Sequence, residues 1–116
     1  MQNSFKVGKI NFNRFGKPIV IAEIGINHGG KLSEAIKISK SAIKAGAQII
    51  KHQTHVPDDE MSYHAKKIVP KNANLNIHKL ISNCALSEKD EFKLMKFIKL
   101  KNVEYLSTPF SRKAVD

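Results

Sequence analysis

The amino-acid sequence predicts an α/β fold with a parallel sheet, and three observations support this fold class. Residues 19–24 form a nearly continuous apolar run with β-branched side chains, which is typical of a strand buried on both faces. Residues 32–43 place their apolar side chains on one helical stripe, and residues 47–54 form a second strand-like run. Because a helix links these two strands, we expect the strands to be parallel.

The size and composition of the chain indicate a single unit. With 116 residues, of which 41% are hydrophobic and 26% charged, it has the composition of one modest globular domain. No repeat, low-complexity tract or Gly/Ser linker divides it, so residues 1–116 are predicted to form one unit with no second domain. No apolar run approaches the roughly 20 residues of a membrane helix, and the amino terminus lacks a secretory signal. We therefore expect a cytoplasmic protein that does not contact a membrane.

The first half of the chain is divided by glycine and proline. A short strand at residues 9–12 and a turn at residues 13–17 predict a small β-hairpin before the first apolar strand. Residues 27–30 are rich in turn formers and separate that strand from the helix at residues 32–43. Gly46 follows the helix in the position of a carboxyl-terminal cap.

The second half continues the alternation of strands and helices. Residues 55–76 are polar and are predicted to form a long loop that is either functional or disordered. A short helix is expected at residues 77–84, and Ser87 is predicted to cap a longer amphipathic helix at residues 88–101. Residues 103–108 complete the pattern as a third strand. The expected order is therefore a hairpin followed by βαβαβ.

The net charge of +10 raises the possibility of a nucleic-acid-binding protein. Lys89, Lys93 and Lys96 recur at helical spacing on the face opposite Leu94, which is typical of a solvated helix surface. Aromatic residues make up only 7% of the chain, and no zinc-finger spacing or aromatic RNA-binding motif is present, so nucleic acid is not the expected partner. Cys84 is the sole cysteine and is predicted to be a small buried hydrophobic residue.

Polar side chains at the ends of the three strands form a candidate binding site. In parallel α/β folds, ligands bind beyond the carboxyl ends of the strands, where Glu23, Lys51 and Thr108 are expected. An ammonium group, a carboxylate and a hydroxyl together can bind an anion and a sugar-like hydroxyl. The alternative is a structural role, in which Glu23 and Lys51 pair as a buried bridge. The five histidines show no i, i+4 spacing on a helix, so no metal ligand is predicted.

Three motifs resemble those of one enzyme family. They are AEIGINH at residues 22–28, KHQT at residues 51–54 and STPF at residues 107–110, with Cys-Ala-Leu at residues 84–86 between the second and third. In their order and separation they are similar to motifs of the phosphoenolpyruvate-dependent sialic acid synthases. The resemblance covers residues 18–116.

The resemblance implies a fold and a reaction. Family members are (β/α)8 TIM barrels that condense phosphoenolpyruvate with N-acetylmannosamine or a similar sugar, giving a nonulosonic acid and phosphate. They use Mn²⁺ or Mg²⁺ and form homodimers, and the residues that bind the metal belong to later strands. The chain is therefore expected to be the amino-terminal part of such a barrel, an incomplete (β/α)8 TIM barrel of a hairpin and three barrel strands.

The resemblance also implies roles for individual residues. Lys51 is expected to hold the phosphate of phosphoenolpyruvate, and Thr108 its carboxylate. The residues expected to face the sugar are Glu23, taken as the catalytic residue, Gln53, and Asn74 or Asn76. His52 stands where many relatives have Phe, a difference that we attribute to packing.

Two further expectations concern what the chain does by itself. Because the family is a class of carbon–carbon bond-forming transferases but a complete barrel needs eight strands, this chain alone is expected to be inactive and to fold poorly or self-associate. The related alternatives are fragments of a legionaminic or pseudaminic acid synthase. An alternative of another class is a small basic domain that binds anions or nucleic acid.

Overall fold

The computed structural model describes residues 3–115 and contains two sheets. A two-stranded sheet near the amino terminus precedes a three-stranded sheet that carries the helices. The elements in chain order are β1 (Ser4–Val7), β2 (Ile10–Asn13), β3 (Ile21–Gly25), α1 (Leu32–Lys44), β4 (Ile49–Thr54), α2 (Pro57–Glu60), a 3₁₀ helix (Tyr63–Lys67), α3 (Ile77–Cys84), α4 (Glu88–Leu100) and β5 (Glu104–Pro109).

The hairpin is present, but its turn lies earlier in the chain than predicted. Strands β1 and β2 pair antiparallel, with Phe5 opposite Phe12, and the connection runs through Gly8 and Lys9. Gly8 has a φ of +55°, a conformation that glycine adopts without steric cost. The predicted turn at residues 13–17 instead leads out of the hairpin. The amide of Lys9 donates to Glu104 Oε1 at 2.8 Å, which anchors the hairpin at the start of β5.

The three-stranded sheet is parallel, as the alternating pattern predicted. Its order is β3-β4-β5, with β4 in the centre. Glu23 lies opposite Lys51, and the register between β3 and β4 shifts between Glu23 and Gly25. On the other side of β4, Gln53 lies opposite Thr108. Because all three strands run in one direction, their carboxyl ends meet at one edge of the sheet.

Helices α1 and α4 cover one face of the sheet and enclose the hydrophobic core. Periodic apolar side chains from both helices meet the strands there, as the amphipathic stripes predicted. The buried members of this core are Ile24, Ala35, Ala47, Ile50, Leu86, Leu94, Ile98 and Val103. Glu23, Lys51 and Gln53 lie on the opposite face of the sheet, because they alternate with the core residues Ile24 and Ile50 along the strands.

Local signals fix the ends of the helices. The Ser87 hydroxyl accepts a hydrogen bond from the amide of Asp90 at 3.2 Å and caps α4, which confirms the prediction. Gly46 has a φ of +96° just beyond α1, as expected for a residue after a helix cap. Cys84 is only half-buried, and not fully buried as predicted, because it lies at the end of α3, outside the core.

The segment predicted as a loop contains two short helices. Pro57 begins α2, where its fixed φ suits the first helical turn, and Asp58, Asp59 and Glu60 place negative charge at the helix amino terminus. The segment is held by the Ile77 amide, which donates to the carbonyl of residue 68 at 2.8 Å. Across residues 3–115, no helix is long and apolar enough to cross a membrane.

Candidate active site at the strand ends

Glu23 and Lys51 meet at the carboxyl ends of β3 and β4. Their side chains are 64% and 33% exposed, and the Lys51 Nζ atom lies 3.1 Å from Glu23 Oε1. The predicted pairing is therefore present, but it is not the buried bridge of the structural alternative. An exposed ion pair contributes at most about 1 kcal/mol to stability. The ammonium and the second carboxylate oxygen thus remain accessible to a ligand.

Gln53 and Thr108 extend the same polar surface. They lie opposite each other on β4 and β5, and both are half-buried. Because side chains alternate along a strand, Gln53 is on the same face as Lys51, two residues earlier. The structure therefore brings together four of the predicted residues on the face of the sheet opposite the helices.

The two loop asparagines differ from each other in their contacts. Asn76 caps α3, and its Oδ1 atom accepts a hydrogen bond from the amide of Lys79 at 2.8 Å. Its side-chain oxygen is therefore already used. Asn74 is exposed in a bend two residues earlier, and within residues 3–115 no hydrogen bond joins it to the four strand-end residues.

His55 and Glu60 support this surface, and neither was identified from the sequence. The His55 Nδ1 atom lies 2.9 and 3.0 Å from the two carboxylate oxygens of Glu60, and both side chains are 5% exposed. The His55 Nε2 atom lies 3.3 Å from Gln53 Oε1, and the ring stacks on Phe110 with centroids 4.3 Å apart. The i, i+2 spacing of Gln53 and His55 was the available signal, since in extended backbone, which here continues just past β4, side chains two residues apart lie on the same side.

A second group of polar side chains lies on the helix side of the sheet. The buried rings of His28 and His52 stack, with their Nε2 atoms 3.1 Å apart. The amide of Gly30 donates to His28 Nδ1 at 3.1 Å, so this nitrogen carries no proton. His28 therefore donates through Nε2 to His52 Nε2, and neutral His52 carries its proton on Nδ1. This proton points towards Glu91, whose Oε1 atom is 3.8 Å away.

Burial controls the ionisation of this histidine pair. Burial lowers the pKa of His28 below its ordinary value, although a hydrogen bond with the backbone of Gly25 opposes the shift. Burial, together with repulsion from His28 and His55, lowers the pKa of His52 to about 4. His52 thus takes part in a hydrogen-bonded network as well as in packing.

Glu91 lies between the histidine pair and the strand ends, although its 3.8 Å separation from His52 Nδ1 is too long for a hydrogen bond. Burial raises the pKa of Glu91, against the hydrogen bond that it accepts from Thr54 Oγ1 at 2.8 Å. Thr54 also bonds to the hydroxyl of Ser107 on the neighbouring strand. Burial, reinforced by the negative charge of Glu91, raises the pKa of Tyr105 to about 12, so its hydroxyl stays protonated at neutral pH.

The described residues do not provide an evident metal centre. Within residues 3–115, no group of three or more His, Cys, Asp and Glu side chains is arranged to hold a metal ion. The side chains of His28 and His52 form a hydrogen bond with each other, and the ring of His55 contacts Glu60 and Gln53. The chemistry available at the strand ends is therefore recognition of an anion by Lys51 and of hydroxyl or carbonyl groups by its polar neighbours.

Comparison with known proteins identifies relatives with this architecture. Residues 36–116 match the model of the NeuB family. The chain is 33% identical over 104 residues to the N,N'-diacetyllegionaminic acid synthase of Campylobacter jejuni, covering 86% of this chain and 31% of that protein. It is 52% identical over 48 residues to the pseudaminic acid synthase of the same species, covering 41% of this chain and 14% of the relative.

A solved structure supports the same relationship. The N-acetylneuraminic acid (sialic acid) synthetase of Leptospira borgpetersenii superimposes with a TM-score of 0.73 at 25% identity, covering 97% of this chain and 36% of that protein. The chain thus spans about a third or less of the length of these relatives. The family match covers well over half of the chain, and it agrees with the resemblance carried by the three motifs. The chain belongs to the NeuB family of sialic acid synthase-like proteins.

Proposed function

We propose that this chain forms the amino-terminal strands of a (β/α)8 barrel that joins phosphoenolpyruvate to N-acetylmannosamine or a similar sugar. In the balanced reaction, the enol carbon bonds to the aldehyde carbon, one water molecule is consumed, and phosphate leaves. The observation that carries the proposal is the exposed ion pair of Lys51 and Glu23 beside Thr108, at the ends of three parallel strands. Ligands of parallel α/β folds bind at this edge.

Lys51 and Thr108 are proposed to bind phosphoenolpyruvate. The Lys51 ammonium is a compact charge with three donors, of which Glu23 uses one, so donors remain for phosphate oxygens. Thr108 lies on the adjacent strand, and its hydroxyl can donate to the carboxylate of the same molecule. The two anionic groups of the substrate would then lie across β4 and β5.

Glu23, Gln53 and Asn74 are proposed to face the sugar. Glu23 Oε2 is not engaged by Lys51, and its exposed position allows it to accept from a sugar hydroxyl. The Gln53 amide lies on the same face of the sheet, and Asn74 is exposed on the loop that follows β4. The relatives named as pseudaminic and legionaminic acid synthases support a sugar of this general class, with those two acids as the alternative products.

The remaining requirements of the reaction are proposed to lie outside this chain. A Mn²⁺ or Mg²⁺ ion would polarise the sugar aldehyde when bound, and the described residues offer no set of ligands for it. The proposal therefore places the ligands in later strands. It also predicts a cytoplasmic homodimer, and it predicts that the 116-residue chain alone shows no turnover.

Phosphoenolpyruvate binding tests the role of Lys51. The suitable protein is this chain joined at its carboxyl end to the remaining segment of the Leptospira synthetase, called the completed barrel below. Lys51→Ala is expected to weaken phosphoenolpyruvate binding, measured by calorimetry, by about tenfold to a hundredfold, because charged hydrogen bonds are lost. Lys93→Ala is the matched control, since Lys93 forms a similar exposed pair with Asp90 at 3.0 Å on α4. Equal affinities of the Lys51→Ala variant and the parent would refute the assignment.

A further inference from the structure

His55 lies between an acidic side chain and a residue of the proposed sugar site. Its Nδ1 atom contacts both oxygens of Glu60 at 2.9 and 3.0 Å, and its Nε2 atom lies 3.3 Å from Gln53 Oε1. Both His55 and Glu60 are almost fully shielded from water. The ring is also fixed by stacking on Phe110. Its position therefore cannot change without disturbing α2 or the end of β5.

The hydrogen-bond partners of His55 determine which of its nitrogens carry protons. An ionised carboxylate only accepts hydrogen bonds, so the nitrogen that faces Glu60 must donate. The carbonyl oxygen of Gln53 also only accepts, so the nitrogen that faces it must donate as well. Both ring nitrogens donate only in the imidazolium form. The arrangement is therefore that of a charged His55 held by a buried carboxylate.

Other charged and titratable groups lie around His55. The groove that contains His55 is also lined by Glu88 and Glu91 of α4, by Tyr105 of β5 and by Lys113, which follows β5. His52 of β4 lies three residues before His55. Repulsion between His52 and His55 contributes to the low pKa of His52, so His52 stays neutral beside the imidazolium. Glu60 is the acidic group in direct contact with the ring.

This arrangement sets the orientation of the Gln53 amide. With its oxygen turned towards His55, the amide must present its NH₂ group to the ligand side. We infer that His55, held by Glu60, is a positioning residue that makes Gln53 a hydrogen-bond donor, so that Gln53 binds an oxygen that only accepts, such as an N-acyl carbonyl. This inference rests on the proposed function, since it specifies which group of the sugar Gln53 binds.

The orientation of the Gln53 amide depends on the proton on His55 Nε2. When it is lost, the Gln53 amide must rotate to donate to the bare nitrogen, and its oxygen then faces the ligand. Two oxygens that only accept cannot form a hydrogen bond. Loss of the donor at His55 Nε2 is therefore expected to weaken sugar binding, while phosphoenolpyruvate binding at Lys51 is unaffected by this rotation.

Nuclear magnetic resonance of the completed barrel, with ¹⁵N-labelled histidine, tests the protonation state directly. Both ring nitrogens of His55 are expected to carry protons in the folded protein, as its contacts with Glu60 and Gln53 require, and Glu60→Gln is expected to remove the proton from Nε2. Asp58→Asn is the matched control, because Asp58 contacts His78 at 2.9 Å from the same helix without touching Gln53. An unprotonated Nε2 throughout the folded pH range overturns the inference, even if the variants fold poorly.

Steady-state kinetics separates this inference from the proposed function. His55→Phe keeps an aromatic ring against Phe110. This variant is expected to raise the KM for the sugar about fivefold, which corresponds to the loss of one hydrogen bond. The KM for phosphoenolpyruvate is not expected to rise. If Gln53→Ala raises the sugar KM but His55→Phe and Glu60→Gln do not, the positioning role is wrong and the function stands. If Gln53→Ala also has no effect, the assignment of Gln53 to the sugar site fails, and the inference fails with it.

Discussion

Acidification from pH 7 to pH 5 is expected to open the turn at residues 27–30, because this turn shields the neutral His28–His52 pair. The two Nε2 atoms lie 3.1 Å apart and share one proton, and Gly30 holds the far nitrogen of His28. A second proton would place two donors face to face inside the core. The pair can therefore accept a proton only if the turn moves and water reaches the rings.

The size of the effect follows from the pKa of His52. Its value is lowered from 6.5 to about 4 in the folded state, so the open state binds more protons between these two limits. Stability therefore falls as the pH falls below 6.5 and stops falling below about 4. Between pH 7 and pH 5 the linkage amounts to about 2 kcal/mol, or about a 20-fold larger open population. The lowered pKa of His28 acts in the same direction.

Native-state hydrogen exchange of the Gly30 amide in the completed barrel measures this opening. After correction for intrinsic exchange rates, protection is expected to fall about 20-fold between pH 7 and pH 5. His52→Phe removes the titrating ring and is expected to lower protection at pH 7 but to flatten its pH dependence. His64→Phe, at an exposed position, serves as the control. A pH dependence that is as steep in His52→Phe as in the parent would refute this reasoning.

Two further substitutions in the completed barrel test how local signals stabilise the fold. Ser87→Ala removes the cap that accepts from Asp90 and is expected to cost about 1 kcal/mol, measured by urea unfolding; an unchanged midpoint would contradict the cap. Gly30→Ala is expected to cost about 2 kcal/mol or more, since Gly30 has a φ of +75° and an added Cβ would collide with the carbonyl of Asn83. Hydrogen exchange of the α3 and turn amides would reveal this, and full protection in the variant would contradict it.

The sheet and its helices were predictable because their signals are local and repeated. The apolar runs predicted β3 and β4, and the amphipathic stripes predicted α1 and α4. A helix between two neighbouring strands of one sheet makes these strands parallel. The closeness of Glu23 and Lys51 also followed, because residues at the ends of neighbouring parallel strands meet at one edge. The roles of the site residues came from the resemblance and stay predictions.

The supporting network was not predictable, since it depends on how the loops run in space. Glu60 reaches His55 only because α2 turns back over the end of β4, and the polar loop sequence gave no helical periodicity to predict this. The contact between His28 and His52 likewise requires the path of the turn after β3. The hairpin turn was misplaced because the positive φ of Gly8 leaves no pattern beyond a single glycine.

Phosphate release by the completed barrel tests the central claim most directly. With phosphoenolpyruvate, N-acetylmannosamine and Mn²⁺ present, steady release of phosphate is expected, and omission of the sugar should abolish it. Lys51→Ala and Glu23→Gln should each lower kcat/KM by about a hundredfold, whereas the surface variant Lys93→Ala should match the parent. Phosphate release that does not depend on the sugar, or that survives both strand-end substitutions unchanged, would show that this chain does not contribute the site proposed for it.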